Sequence, residues 1–355
     1  MQERNNKQGL IFQCLILIPN SITKIYNATM EYTILGKTNL RISRIGFGGW
    51  GIGGGARVLR WKNMWKANDK LSKQSLLNAY ENGVNFFDTA LVYGEGHSER
   101  LIKDTLWNKD IITATKVPPL DGHWPAKNKD INQVFPTDYI IKKARESYEN
   151  LGKKTIDLLQ LHVWMDDWFK SKNWREAFAI LKKEGIIKFV GISINDHNPN
   201  SALKIVSSGE IDTIQVIYNI FDQSPQDKLF PLARKNNVGI IARVPLDEGS
   251  LSGTFTYETT FNDWRKDYFT PERLKMAIDK INEIKSKLAN EQRTMSQIAL
   301  KFCLLENGAD VAIAGMRNPN HVSENIKSCD VTFNKNEIDY LKKQRWIRNF
   351  YPEDV

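Results

Sequence analysis

Eight times between residues 45 and 315 a short β-type run gives way to a loop and then an amphipathic helical stretch. That alternation limits the fold more than any other feature of the chain. The β-type runs cover 45–48, 84–88, 111–116, 156–162, 189–195, 211–218, 238–243 and 311–315. The helical stretches cover 73–82, 98–106, 137–151, 174–184, 200–208, 226–236, 271–288 with 295–306, and 319–328, and an extra one lies near 336–345. Gly83, Gly152, Gly185 and Gly209 each follow a helical stretch, where a left-handed cap is needed. Pro271 stands at a first turn behind Thr270, a good N-cap. With no linker between units, the pattern predicts one (β/α)8 TIM barrel over 31–355, a doubly wound open sheet being the main competitor. Two connections are long, 117–136 after the third strand and 244–269 after the seventh, and long loops in compact domains usually bind or cover something. Residues 33–45 read as a hairpin turning at Gly36-Lys37, placed to plug the barrel floor.

Composition closes off several function classes. The net charge of +9 is scattered in lysine pairs along helical stretches, so it forms no stripe for nucleic acid. No apolar run is long enough to span a membrane. Three cysteines at 14, 303 and 329 show no framework spacing, which points to a reducing compartment and a cytoplasmic location. The apolar patch 10–19 (LIFQCLILIP) mixes Gln13 and Cys14 and lacks a clean cleavage site. Residues 1–30 therefore read as a leader outside the fold, with organised sequence beginning at Glu31.

Barrel sites gather at the C-terminal ends of the strands. In this chain those ends read Asp88, Lys116, His162, Ser193 with Asn195, Gln215, Arg243, and Gly315 with Arg317. Tyr93 follows Asp88 in a loop of glycines, Gly94 and Gly96. Asp88, Tyr93, Lys116 and His162 make a proton-transfer set. A phenol titrates near ~10 when unperturbed, and an adjacent ammonium would lower that value. Lys116 is the expected ammonium, held by Asp88, and His162 would orient a carbonyl. The set has no nucleophile, so it suits carbonyl reduction or alcohol oxidation.

These residues sit in a wider pattern: Asp88-Thr89-Ala90 with Tyr93-Gly94 and Glu99, Thr115-Lys116, Leu159-Gln160-Leu161-His162, Gly191-Ile192-Ser193, Ile214-Gln215, and Ile313-Ala314-Gly315 with Arg317 and Glu324-Asn325. In this the chain resembles the aldo-keto reductases. The resemblance implies Tyr93 as general acid, Lys116 and Asp88 as its tuning pair, and His162 as the donor to the carbonyl. It implies NADPH or NADH lying extended across the barrel mouth, with no Rossmann domain. Ser193, Asn195 and Gln215 would hold the nicotinamide carboxamide, Ile194 splitting the usual Ser-Asn pair. Strand alternation would keep Ser193 and Asn195 on one face. Arg243 would stack under the ring in place of an aromatic residue. In the RVPLDEGSLSG stretch at 243–253, which also carries Pro245 and Leu251, the Gly249–Gly253 turn would offer backbone N–H groups and the Ser250 and Ser252 hydroxyls to the pyrophosphate. Gly315, Arg317, His321, Glu324 and Asn325 would meet the adenosine end. Arg317 favours the 2′-phosphate of NADP(H) over NAD(H).

Trp50, Trp124 and Trp164 follow strands and are the candidates for a substrate wall. Gly46-Phe47-Gly48-Gly49-Trp50-Gly51 matches the dinucleotide fingerprint, but no helix is expected to open at Gly51 to hold a pyrophosphate. The histidines lack metal-ligand spacing, so no metal is expected. Partners are a small carbonyl or sugar substrate, with the chain a monomer or homo-oligomer. The alternative reading is a cofactor-sensing regulatory subunit, resembling the channel-associated members of the same family.

Overall fold

The structure, a computed structural model, describes residues 30–55, 66–124, 126 and 128–350. The expected leader, Met30 apart, lies outside the described residues, as do Trp61 and Trp65. Two short strands come first, β1 (Tyr32–Ile34) and β2 (Arg41–Ser43), paired antiparallel. Eight parallel strands follow: β3 (Ile45–Gly48), β4 (Phe86–Asp88), β5 (Ile112–Val117), β6 (Ile156–Leu161), β7 (Ile187–Ser193), β8 (Thr213–Ile217), β9 (Gly239–Arg243) and β10 (Val311–Gly315). Each pairs with the next in the chain and β10 closes onto β3, which excludes an open doubly wound sheet.

All eight strands lie where the sequence predicts, within two or three residues at their ends. They are legible because both faces are buried, so each reads as an apolar run. The strand at β4 is shorter than expected, starting at Phe86, because the Val84 N–H donates back to the Ala79 carbonyl at 2.9 Å and ends the preceding helix. One turn of helix, Trp50–Gly53, does open at the glycine cluster, contrary to expectation. It is four residues long and sits on a closed barrel, so the Rossmann reading gains nothing from it. The last helix, Lys335–Lys342, stops short of the expected end, and residues 344–350 continue as an irregular strap.

The β1–β2 hairpin plugs the N-terminal end of the barrel. Leu35 and Ile42 are fully buried with Phe86, Ala114, Leu158, Ile241, Val311 and Ile313. Gly36 makes this closure possible. It sits at φ +48, and a Cβ there would come within 2.3 Å of the Gly239 nitrogen. The neighbouring Lys37 N–H donates to the Asn237 carbonyl at 2.8 Å. With the floor sealed by apolar side chains, the open end is left to the polar strand termini.

Register brings those termini to one level. Gly48 pairs beside Asp88, Lys116 beside Gln160, Ser193 beside Gln215, Ile217 beside Arg243, and Gly315 beside Gly48. Among the described residues no helix is long and apolar enough to cross a membrane.

Candidate active site

Asp88 ends β4 and is 1% exposed, so its carboxylate needs partners. It has two. Lys116 Nζ, from β5, donates to Oδ2 at 2.6 Å, and Gln215 Nε2, from β8, donates to Oδ1 at 2.8 Å. Lys116 also donates to the Thr89 carbonyl at 2.7 Å. Ser193 Oγ adds a long bond of 3.4 Å to Gln215 Oε1. Three strands are thus tied through one carboxylate, and Ser193 joins a fourth, β7, through Gln215.

Tyr93 leans over this pair. Gly94 and Gly96, at φ +63 and +81, make the loop that turns it back, and its ring centroid lies 5.2 Å from Lys116 Nζ. The His162 ring stands edge-on at 5.9 Å from the Tyr93 ring. The Trp124 ring stands edge-on to His162 on another side at 5.2 Å, and Trp124 Nε1 donates to the His162 carbonyl at 3.0 Å. The structure therefore brings Asp88, Tyr93, Lys116 and His162 to one place, with Trp124 beside them. His162 Nδ1 is buried and has no hydrogen-bond partner among the described residues, as suits a ring that meets a ligand.

Burial pushes the Tyr93 phenol above its usual range, the Asp88 carboxylate pushes it further, and Arg243 is the cation that opposes them. The charge of Lys116 is matched by Asp88 at contact distance. Lys116 itself is drawn down by burial, against the pull of Asp88. Burial, then Lys116 and Arg243, hold His162 well below the usual imidazole range, so it is neutral at physiological pH.

The remaining expected residues are placed unevenly. Arg243 ends β9 and is fixed to the β7 side of the mouth, donating to the Ile194 carbonyl at 2.9 Å and Asp196 Oδ1 at 2.6 Å. Asn195 lies past the end of β7, so strand alternation no longer governs it. Its Nδ2 donates to the Trp164 carbonyl and its Oδ1 accepts from the Ala126 N–H, both at 3.0 Å. Trp164, expected at the substrate wall, has its ring fully buried against Trp168 and Trp174 at 6.1 and 5.7 Å, and its carbonyl is what meets Asn195. Trp50 packs edge-on with Trp264 at 5.9 Å.

The loop after β9 carries Pro245, Ser250, Leu251 and Gly253. Val244, Asp247 and Glu248 all have positive φ, at 54, 49 and 54, followed by Gly249 at 98. Such backbone costs about 1–3 kcal/mol per non-glycine residue and persists only where contacts hold it. The turn is closed by its own backbone: the Asp247 N–H donates to the Val244 carbonyl at 3.0 Å, and the Gly249 and Leu251 N–H groups donate to the Leu246 carbonyl at 2.9 and 3.0 Å. After β10 Gly315 is open, with nothing within 4 Å of a Cβ, and Arg317 and His321 are exposed. Arg317 also holds Asp263 below the usual carboxylate range, behind the larger effect of Arg265. Glu324 accepts from Thr294 Oγ1 and from Gln297 Nε2 at 3.3 Å, and Asn325 Nδ2 donates to the Gly315 carbonyl at 3.4 Å.

Sequence reasoning missed Asp196, Asp247 and Arg348, whose partners lie far along the chain. It also gave the other histidines no structural partner. His97 bridges the Gly53 carbonyl and Asp69, and His197 pairs with Asp222 at 2.6 Å. Among the described residues no group of three or more His, Cys, Asp or Glu is arranged to hold a metal ion.

Comparison with known proteins shows the family. The model of the Aldo/keto reductase family matches residues 44–345. Aldo-keto reductase YhdN of Bacillus subtilis is 31% identical, over 82% of this chain and 86% of its own. The NADH-specific methylglyoxal reductase of Escherichia coli is 27% identical, over 88% of this chain and 98% of its own. The holo form of aldo-keto reductase AKR11C1 from Bacillus halodurans superposes with a TM-score of 0.69 at 25% identity, covering 89% of this chain and 97% of that one.

Proposed function

The chain belongs to the aldo/keto reductase family and is an NAD(P)-dependent oxidoreductase interconverting a carbonyl and its alcohol; from that premise we propose that Tyr93 gives the proton to the carbonyl oxygen. His162 orients that oxygen, and the Lys116–Asp88 pair holds the floor on which Tyr93 rests. The observation that carries this reading is the meeting of a half-buried phenol, a neutral imidazole and a buried ion pair at one barrel mouth.

The residues at the mouth fit a nicotinamide nucleotide. Ser193 and Gln215 offer a hydroxyl and an amide beside the proton-transfer set. Arg243 presents a planar cation at the end of β9, and the left-handed turns of the next loop suit a pyrophosphate. When bound, the cofactor supplies or takes up the hydride. Everything else belongs to the chain. Tyr93, held above its usual range, keeps its proton at neutral pH and yields it to the stronger base, the alkoxide forming on the substrate. Neutral His162 donates a hydrogen bond as charge develops on that oxygen. Trp124 and Trp50 wall the approach, which suits a small carbonyl compound such as an aldehyde, ketone or sugar.

Within this reading the chain takes NADP(H) in preference to NAD(H), with Arg317 meeting the 2′-phosphate. Nearby Asp263 sets a limit on that preference, and one relative is named NADH-specific. Arg317→Ala should weaken NADPH about tenfold or more and leave NADH nearly unchanged in a fluorescence titration. A cytoplasmic setting is part of the same proposal, supported by Cys303 and Cys329 being free and buried.

The test is consumption of NADPH and NADH against a panel of aldehydes, ketones and sugars, methylglyoxal included, by wild type and Tyr93→Phe. Turnover by Tyr93→Phe at the wild-type rate would remove Tyr93 from the role of proton donor. Tight cofactor binding with no turnover on any member of the panel would favour the regulatory-subunit alternative.

A further inference from the structure

The loop after β9 is held in its strained form from a distance. Val244, Asp247 and Glu248 keep positive φ within five positions. Asn219 Nδ2, from the segment after β8, donates to the Val244 carbonyl at 3.1 Å, and within the loop Ser250 Oγ donates to Asp247 Oδ2 at 2.5 Å. The third tie comes from the other end of the chain. Arg348, in the C-terminal strap, places its guanidinium on the same Asp247 Oδ2 at 2.5 Å, with the two side chains 6% and 2% exposed.

Arg348 is itself built in. Its guanidinium carbon lies 5.0 Å from the Phe221 ring centroid, 4.1 Å from that of Trp346 and 4.9 Å from that of Phe350. The strap is fixed to the barrel on either side of it. The Trp346 N–H donates to the Phe221 carbonyl at 2.9 Å, and Arg273 donates to the Phe350 carbonyl at 3.3 Å. Phe350 packs on Tyr268, in the long segment that follows the same loop.

The charge has a physical purpose. A buried carboxylate three residues from Ser250 would repel a pyrophosphate and would be costly where it stands. Arg348 neutralises it and fixes the turn at Asp247. We propose that Arg348 is a positioning residue for the cofactor: acting through Asp247, it keeps the loop at 244–253 ready for the dianionic pyrophosphate. The C-terminal strap thereby sets affinity for the dinucleotide without touching the reacting atoms. This rests on the reading that the loop holds the pyrophosphate.

The experiment is a fluorescence titration of the full chain with NADPH and with NADH, with steady-state kinetics and thermal unfolding alongside. The variants are Arg348→Met, Arg348→Lys, the double variant Arg348→Met with Asp247→Asn, and Ser252→Asp. Arg348→Met should raise Kd for both dinucleotides about tenfold and the cofactor KM with it, while kcat at saturating cofactor stays within about twofold. Arg348→Lys, which keeps the charge, should fall between it and wild type. Asp247→Asn in the Arg348→Met background should recover part of the loss, because the unpaired buried charge is gone. If Arg348→Met does not fold, the lysine and double variants carry the same comparison. Ser252→Asp sets a carboxylate in the loop and should weaken both dinucleotides. If it leaves Kd unchanged, the loop does not hold the pyrophosphate and the proposal falls with that reading. If Ser252→Asp weakens binding and folded Arg348 variants bind as wild type does, the pyrophosphate reading stands and the role of Arg348 is wrong.

Discussion

The two ends of the barrel are made from the same eight strands and treat charge in opposite ways. At the floor the hairpin presses Leu35 and Ile42 into an apolar cluster. One acid there, Asp157, is met by Lys153 and Lys188, whose side chains are 22% and 53% exposed, so its charge is shared with solvent. At the mouth the Lys116–Asp88 pair is 0% and 2% exposed, with no water-facing side to relieve it. A buried pair of that kind seldom adds stability over an apolar pair. At the mouth the chain gives up packing to hold charge where the polar strand ends gather.

Breaking the pair at each end should expose this difference. Lys116→Met strands Asp88 in the interior and should destabilise the fold by about 3–5 kcal/mol, with activity lost, read by urea unfolding and turnover. Leu35→Ala at the floor should cost about 2–5 kcal/mol and leave kcat/KM unchanged in the folded fraction. An equal fall in both quantities for Leu35→Ala would mean that the two ends are coupled. A third test uses pH. His162 is held below its unfolded value, so the unfolded chain binds more protons once pH falls below about 6.5. Its contribution is complete above that point and is lost as pH drops toward the depressed value, at up to about 1.4 kcal/mol per pH unit. His162→Gln should remove that part of the slope, and an unchanged slope between pH 5 and 7 (about the window of an imidazole) would mean the ring is not held neutral. Tyr93 has the opposite sign. Held above its usual range, it favours reduction at neutral pH, and alcohol oxidation should speed up as pH rises. Smallest of all, Lys188→Met should change stability by about 0–1 kcal/mol, since its exposed pair with Asp157 is screened.

The fold is legible in the sequence because its signals are local. Strands buried on both faces read as apolar runs, and Gly83, Gly152, Gly185 and Gly209 all adopt positive φ after their helices. The mouth is legible as a set of strand ends, since barrel register carries Asp88, Lys116 and Ser193 to one level. What escapes depends on partners far apart in sequence. Nothing around Arg243 announces Asp196, and nothing around Arg348 announces Asp247, 101 positions away. Strand alternation assigns Asn195 to the face of Ser193, but the strand ends at Ser193. Trp164 follows a strand like a mouth residue, yet its ring turns to the aromatic layer outside the barrel because Trp168 and Trp174 offer it a larger apolar surface.

The most direct measurement is a single turnover by Tyr93→Phe, loaded with the preferred dinucleotide and mixed rapidly with the best carbonyl from the panel. The expected result is cofactor affinity close to wild type, with the hydride-transfer step slowed by about 10²–10⁴-fold. A variant that binds cofactor normally and transfers hydride at the wild-type rate would contradict the assignment of proton transfer to the barrel mouth through Tyr93.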